Sequence, residues 1–342
     1  MSIALASSTF VWGQEVLQNG VKETIQSKIL DENREIYIHL PKSYHDNQIQ
    51  PAKYPVIYLL DGETNFDYYA GMVDLLSKQP YAEIPEMIVV GIINTDRTRD
   101  LTTSESNEKS TKNPKELVYK TSGGSEKFYN FLETEVKDFV AKKYRTNGYQ
   151  ILVGHSYGGL FATDILFNHS KSYQSYVIND PSLWWNKQKQ MATIRNYFKN
   201  NSKLPNSTFV YLAQANDEGR SQQTIEEMSH NIVRFKEILE KSHGLYFKHK
   251  LYTEEAHGNV IYPANFDALR YIFKGYSSNV KEFSADPEKL MRSYEEFSKK
   301  QNFTFRPSEI YLNFIIKYLQ KNQSTEAENY FKQLKNDLYS NT

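Results

Sequence analysis

The chain of 342 residues contains no cysteine, which excludes disulfide bridges, thiolate catalysis and cysteine-ligated zinc. It has no net charge either, since 41 basic residues balance 41 acidic ones. The composition therefore gives no indication of a nucleic-acid partner or of electrostatic membrane binding. No apolar run has the length of a membrane span. The chain is long enough to form one domain with a full hydrophobic core and a smaller appendage.

The N-terminal residues 1–14 are mostly small or apolar and resemble the second half of a secretory signal, although a basic start is missing. We interpret them as a signal or leader remnant. A periplasmic or secreted protein is the expectation, and a cytoplasmic one is the alternative.

One segment indicates chemistry. An apolar run from Tyr149 ends in Gly154-His-Ser156-Tyr-Gly158 and continues into a helical stretch. A Gly-x-Ser-x-Gly sequence between a strand and a helix is the form of a nucleophile elbow. The turn is so sharp that only glycine fits on either side, and the positive end of the helix favours negative charge at the serine. Ser156 is the predicted nucleophile, and a structural turn is the alternative.

Apolar runs and helical periodicity alternate along the chain, which predicts a mostly parallel sheet flanked by helices. The predicted strands are 34–40, 54–60, 87–93, 150–153, 175–178, 209–213 and 246–252. Ligands of such sheets bind beyond the carboxyl ends of the strands, where Asp61, Ser156, Asp180, Asp217 and His257 fall. The polar, Ser- and Thr-rich connection 94–124 predicts a mobile loop near the site or, equally, a solvated insertion.

A serine hydroxyl needs a base to take its proton and an acid to orient that base. His257 follows the last predicted strand and is the best candidate base, with a surface loop histidine as the alternative. Asp217 ends the strand before it and is the favoured acid, with the adjacent Glu218 as the alternative. Glu254 and Glu255, close to His257 in sequence, are further candidates to orient it.

The oxyanion that forms during acyl transfer needs preorganised N–H donors. We assign one to the backbone of Tyr157, directly after the nucleophile. The other is assigned to the backbone of Glu63, with Gly62 as the neighbouring candidate, in the turn after the strand that ends at Leu60.

After Phe273 the character of the sequence changes. Residues 277–286 have the composition of a linker, and three amphipathic stretches follow at 287–300, 308–321 and 324–338. The last resembles the second helix of a tetratricopeptide unit, and one unit is too little for a solenoid. The predicted organisation is a leader at 1–14, a main domain at 15–276 and a small helical appendage at 277–342. Self-association or binding of a protein partner through these helices is an open expectation.

At this point the chain resembles a known family, the bacterial serine esterases of the esterase-D type, nearest to their enterochelin (siderophore) esterase-like branch. The matching segments are Tyr58-Leu-Leu-Asp-Gly62, Gly91-Ile-Ile-Asn-Thr-Asp-Arg97-Thr-Arg99-Asp-Leu, Gly123-Gly-Ser-Glu-Lys-Phe, Val153-Gly-His-Ser-Tyr-Gly-Gly-Leu-Phe161, Asp180-Pro-Ser-Leu-Trp184-Trp185 and His257-Gly. They follow one another in the family's order over roughly residues 20 to 275.

The resemblance implies an α/β-hydrolase fold and hydrolysis of carboxylic esters through an acyl-enzyme, without metal or cofactor. It also implies that Gly62, Arg97, Arg99, Trp184 and Trp185 border the substrate cleft. Core packing is the alternative for the tryptophans, and structural ion pairs are the alternative for the arginines. The family usually has Ser where this chain has Asp180.

The resulting function is a serine esterase acting on a small-molecule or glycan-linked ester, with siderophore-like and polysaccharide-linked acyl esters both compatible. Acyl transfer to another alcohol uses the same first half-reaction and is an alternative. A non-catalytic scaffold that binds partners through its helical tail is the alternative of a different class.

Overall fold

The computed structural model describes residues 19–200, 203–276 and 279–339, so the predicted leader lies outside the described residues. Within them, a single eight-stranded sheet forms the centre of the molecule. Its strands are β1 (Val21–Ser27), β2 (Glu32–His39), β3 (Tyr54–Leu59), β4 (Ile88–Ile92), β5 (Thr146–His155), β6 (Ser175–Asn179), β7 (Lys203–Ala215) and β8 (His243–Tyr252).

The strands lie in the order β1-β2-β4-β3-β5-β6-β7-β8. β1, β2 and β4 pair antiparallel, and every pair from β4 to β8 is parallel. The mostly parallel sheet is therefore confirmed. β1 was not predicted, because Val21-Lys-Glu-Thr-Ile-Gln-Ser has only Ile25 and Ser27 buried and lacks an apolar alternation.

Helices fill the connections between the strands. They are α1 (Gly62–Leu76), α2 (Arg97–Leu101), α3 (Ser125–Asn130), α4 (Lys137–Lys143), α5 (Tyr157–Asn168), α6 (Trp185–Asn200), α7 (Gln222–Thr224), α8 (His230–Glu240), α9 (Ile261–Ile272), α10 (Val280–Ala285), α11 (Glu288–Gln301), α12 (Glu309–Lys321) and α13 (Thr325–Tyr339). Short π-helical turns at Phe131–Val136 and Ile225–Ser229 join α3 to α4 and α7 to α8, and a 3-10 turn spans Lys42–His45.

Both faces of the sheet are buried, because successive residues of a strand point to opposite sides. In β3, Val56 and Tyr58 enter one core with α3, α4, α5, α6 and α8. Ile57 and Leu59 enter the other core with α1, α9 and the C-terminal helices. This explains why the central strands read as continuous apolar runs rather than as alternating patterns.

The C-terminal helices pack directly on the second core. Leu290 of α11, Tyr311 of α12 and Phe331 of α13 are buried in the same cluster as the sheet residues Ile57 and Leu59. The three predicted amphipathic stretches correspond closely to α11, α12 and α13. Part of the predicted linker 277–286 is helical instead, since α10 lies there and buries Phe283. In the described ranges, no helix combines the length and apolarity needed to cross a membrane.

Replacing the fully buried Phe331 by alanine tests this shared core. We expect a loss of about 3–5 kcal/mol in the free energy of unfolding, the usual cost of truncating a buried aromatic. Chemical denaturation followed by circular dichroism measures it. Lys332→Ala is the matched control on the next residue, where the surface ion pair with Glu328 contributes little to stability. Two separate unfolding transitions in the wild type would contradict a common core.

Candidate active site

The predicted elbow is present at the junction of β5 and α5. Ser156 adopts φ 59° and ψ −115°, a conformation that is uncommon for a residue other than glycine. Its N–H donates to the carbonyl of Asn179 at 3.1 Å, which holds the turn against the end of β6. A Cβ atom at Gly154 would lie 2.2 Å from the carbonyl oxygen of Gly158, so the turn closes only without a side chain there.

Ser156, His257 and Asp180 form a continuous chain of contacts. The Oγ atom of Ser156 lies 3.1 Å from Nε2 of His257. Nδ1 of the same ring lies 2.6 Å from Oδ2 of Asp180. The carboxylate thus places the ring proton on Nδ1 and leaves Nε2 free to accept the serine hydroxyl hydrogen.

Asp180 follows β6 directly and is completely buried. Its Oδ1 accepts the N–H of Ala215 at 3.0 Å, and its Oδ2 also accepts from Arg220 at 2.5 Å. Burial alone would raise the pKa of Asp180. The hydrogen bond from His257, the charge of Arg220 and the Ala215 amide outweigh burial and hold that pKa below its ordinary value. The carboxylate is therefore ionised at neutral pH.

The expected contact between Asp217 and His257 is not formed. Asp217 lies in the loop after β7, is exposed, and accepts instead from Arg220 at 3.1 Å and from the hydroxyl of Ser229. Glu218 is exposed and no contact joins its carboxylate to the ring. Asp180 reaches the ring because its left-handed backbone (φ 39°) turns the chain at the end of β6 toward His257. The prediction of Asp217 is based on its position after a strand, and Asp180 has the same kind of position after β6.

Glu254 and Glu255 do not hold the ring either, since its Nδ1 atom faces Asp180. The backbone carbonyl of Glu255 accepts from the N–H of Asn216, and this bond ties the loop after β8 to the loop after β7.

His155, which the sequence places at a strand end without a role, packs on the base. Its ring centre is 4.6 Å from that of His257, and its Nε2 donates to the backbone carbonyl of His257 at 2.8 Å. Burial, and next the charge of His257, lower the pKa of His155 to about 4. A neutral His155 thus fixes the loop that carries His257 without adding a positive charge beside it.

A second hydroxyl also reaches the nucleophile. Ser182, almost fully buried, has its Oγ 3.2 Å from Oγ of Ser156, and its N–H donates to the carbonyl of Ser156 at 3.0 Å. The short segment 180–182 after β6 therefore contacts His257 through Asp180 and Ser156 through Ser182. Sequence reasoning missed Ser182, because a serine in a loop carries no distinguishing pattern.

The two predicted oxyanion donors lie at helix starts. Tyr157 is the first residue of α5, and Gly62 and Glu63 are the first two of α1, where N–H groups have no acceptor within the helix. The two helix starts are adjacent in space. A Cβ atom placed on Gly158, the second residue of α5, would lie 3.5 Å from a carboxylate oxygen of Asp61, the residue before α1.

Both predicted cleft arginines are engaged in ion pairs. Arg97 binds the carboxylate of Asp61 with two hydrogen bonds of 2.7 and 2.9 Å, and it also donates to the carbonyl of His155 at 3.2 Å. Arg99 pairs with Glu32 at 2.6 Å and with the buried Asp100 at 2.7 Å. In the part of the chain that the structure describes, no cluster of three or more His, Asp and Glu side chains is arranged to hold a metal ion.

The two tryptophans differ in placement. Trp185 is buried in the core, whereas Trp184 is only partly buried, and the rings of both lie within about 6 Å of the Tyr157 ring, at 5.3 and 6.0 Å. The connection 94–124 folds against this group. Its Ser104 carbonyl accepts from the Trp185 indole at 3.1 Å, and its Tyr119 ring packs edge-on against that indole. The connection also contains α2 and is therefore more than a solvated insertion.

Comparisons with known proteins identify the family and the fold. A family model described as "Putative esterase" matches residues 27–252, a range that ends five residues before His257. The chain is 31% identical over 166 residues to the ferri-bacillibactin esterase BesA of Bacillus subtilis, covering 46% of this chain and 57% of that one. It is 28% identical over 177 residues to a siderophore enterobactin esterase of Emericella nidulans, covering 44% of this chain and 56% of that protein. The chain thus spans somewhat more than half the length of these curated relatives.

Among solved structures, an IroE-like serine hydrolase from Shewanella oneidensis superposes with a TM-score of 0.82 at 29% identity. The match covers 93% of this chain and 99% of that one. The predicted α/β-hydrolase fold with its C-terminal helices is thereby confirmed.

The same substitution at two glycines tests the geometry of the elbow. Gly154→Ala forces a Cβ atom against the Gly158 carbonyl, and we expect it to destabilise the fold by about 3 kcal/mol or more. Gly71→Ala on the outside of α1 meets no atom within 4 Å, and we expect it to stabilise the protein by about 0.5–1 kcal/mol. Denaturant titration of the two variants measures both values. Equal effects would show that the elbow has room for a side chain.

Proposed function

Because the chain belongs to this esterase family, we propose that it hydrolyses carboxylic esters through an acyl-enzyme formed on Ser156. The observation that carries this proposal is the contact chain from Ser156 through His257 to the buried Asp180. The order Ser, Asp, His along the chain is that of α/β-hydrolases. A scaffold protein without catalytic activity has no need for a buried carboxylate that orients a histidine toward a serine.

In the first half-reaction, Nε2 of His257 takes the proton of Ser156 as Oγ attacks the ester carbonyl. The imidazolium that results is stabilised by Asp180 across the 2.6 Å contact. The same Nε2–H then protonates the leaving alcohol, and the acyl group stays on Oγ. Ser182 donates a hydrogen bond to the nucleophile oxygen while the serine hydrogen points to His257.

The negative charge on the carbonyl oxygen is held by backbone N–H groups at the starts of α5 and α1. We assign these roles to Tyr157 and to Glu63, with Gly62 as the neighbouring donor. The ion pair between Arg97 and Asp61, together with the bond from Arg97 to the His155 carbonyl, fixes the two helix starts relative to each other. Such donors act best when they are held in place before the charge develops.

In the second half-reaction, a water molecule loses its proton to Nε2 of His257 and attacks the acyl carbonyl. Ser156 leaves with the returned proton, and the carboxylic acid is released. An alcohol in place of water would give acyl transfer. We favour hydrolysis because the family and its named relatives are esterases.

For the substrate, we propose an ester of a siderophore. BesA is named a ferri-bacillibactin esterase, and the Emericella protein is named for a siderophore and for enterobactin. The partly exposed Trp184 and the ring of Tyr157 beside it offer aromatic surface for a substrate with aromatic rings. Feruloyl or acetyl groups on polysaccharides are the other candidate substrates.

Three further proposals concern the whole protein. We place the boundary between the hydrolase domain (15–276) and the helical appendage (277–342) at the start of the α10–α13 segment. The appendage is a candidate surface for self-association or a protein partner. Export to the periplasm or the medium stays a prediction from the N-terminal sequence.

Conservative substitutions at the two aspartates test the choice of acid. We expect Asp180→Asn to lower kcat for 4-nitrophenyl acetate by about 10³–10⁴-fold, because the amide disfavours the required ring tautomer. Asparagine tolerates the left-handed backbone of position 180, so the substitution does not strain the turn after β6. Asp217→Asn is the matched control and should keep kcat at pH 8 within about tenfold, since Asp217 does not touch the ring. A reversal of the two effects would assign the acid to Asp217.

A fluorophosphonate probe and a substrate panel test the nucleophile and the substrate. We expect labelling of one site per chain in the wild type and none in Ser156→Ala, with loss of esterase activity by about 10³–10⁶-fold. Enterobactin, ferri-bacillibactin, a feruloyl ester and 4-nitrophenyl acetate form the panel, with and without an alcohol acceptor. Siderophore esters should give the highest kcat/KM. Absence of labelling would favour the scaffold alternative, and ester formation with the acceptor would favour a transferase.

A further inference from the structure

Arg220 is the centre of a small hydrogen-bond network behind the contact chain. Its side chain is 8% exposed. One terminal nitrogen donates to Oδ2 of Asp180 at 2.5 Å, and the other donates to Oδ1 of Asp217 at 3.1 Å and to Oγ of Ser229 at 2.7 Å. Ser229 in turn donates to Asp217. One guanidinium group therefore joins the loop after β6, the loop after β7 and the turn before α8.

The contact between Arg220 and Asp180 has an electrostatic consequence. Oδ2 of Asp180 is shared between the guanidinium and the ring of His257. A positive charge held on the far side of this carboxylate weakens the attraction that the carboxylate exerts on a protonated ring. Asp217, as a negative charge on the other side of Arg220, partly cancels that effect.

Building on the proposed esterase activity, we propose that Arg220 is a positioning residue that also sets the proton affinity of His257. Arg220 opposes protonation of the ring and Asp217 favours it, so the proton affinity of the base depends on the balance of these two charges. Asp217, expected from the sequence to be the acid, would then act on the base through Arg220.

The other charged groups around His257 do not compete for this role. His155, from the end of β5, stays neutral above about pH 5 because burial lowers its pKa to about 4. Asp61, from the start of α1, is paired with Arg97. Glu254 and Glu255 lie on the loop of His257 itself and make no contact with the ring nitrogens. The charges that meet the carboxylate of Asp180 are the ring and Arg220.

The test is an NMR pH titration of the His257 ring in protein labelled with ¹⁵N-histidine, with the signal assigned by its absence in His257→Gln. Arg220→Met removes a positive charge and should raise the midpoint of the titration by about 0.5–1 in pH. Asp217→Asn removes a negative charge and should lower the midpoint by a few tenths. The acidic limb of kcat/KM for 4-nitrophenyl acetate should move in the same two directions.

Two variants separate charge from position. Ser229→Ala removes an uncharged contact of the same guanidinium, and Arg220→Lys keeps the charge but loses the fork. Both should leave the midpoint within about 0.1 in pH of the wild type while lowering kcat several-fold, because Asp180 is held less firmly. If Arg220→Met does not fold, a lowered midpoint in Asp217→Asn beside an unchanged midpoint in Ser229→Ala still decides the question.

A midpoint common to all variants, or movement of Arg220→Met and Asp217→Asn in the same direction, would overturn the inference. The ring titration needs no turnover. If the wild type titrates as described but does not hydrolyse esters, the proposed function fails and the electrostatic role of Arg220 stands. If the wild type is an esterase and the midpoints do not move, only the role of Arg220 fails.

Discussion

The carboxylate of Asp180 is the group on which the geometry of the site depends. A fully buried carboxylate is stable only when hydrogen-bond donors and positive charge replace the lost water. Here the donors are the Ala215 amide, Arg220 and His257. They come from the last residue of β7, from the loop that follows it and from the loop after β8. Satisfying one buried charge thus brings together three chain segments that are far apart in sequence, and the ring of His257 is oriented as part of that arrangement.

Ser156, the proposed nucleophile, is held by a different constraint, which is steric and local. Ser156 keeps its left-handed backbone because β5 and α5 fix both sides of the turn and because position 154 has no side chain. The expected need for glycine does not extend to position 158, where a Cβ atom would meet its nearest neighbour at 3.4 Å. The segment Asp180-Pro-Ser182 joins the two constraints, since it supplies the acid to His257 and a hydroxyl to Ser156. The distance from Ser156 to His257 therefore depends on the contacts that this segment makes with both residues, and not on the loop of His257 alone.

How far the sequence predicts the site follows from this division. The elbow and the base are encoded locally, in Gly-x-Ser-x-Gly after an apolar run and in a histidine after the last strand, and the structure brings Ser156 and His257 together. The acid depends on contacts across the sheet. Asp180 and Asp217 both follow strands that lie between β5 and β8, and the position along the chain does not tell which of them turns toward the ring. Asp180 is held in place by its contacts with the Arg220 side chain and with the Ala215 amide. These groups meet Asp180 only in the folded sheet.

The arginines illustrate the same point for substrate binding. Arg97 and Arg99 stand in a segment near the site, and a cation there is compatible with an anionic ligand as well as with a structural pair. Their partners Asp61 and Glu32 lie 36 and 67 residues away and cannot be assigned from spacing. With both charges balanced by carboxylates, the proposed recognition of a substrate rests on neutral groups, such as Trp184 and the ring of Tyr157. In that proposal the surface selects ligands by aromatic contact and shape, because an added anion would find no uncompensated charge on either arginine to offset its loss of hydration.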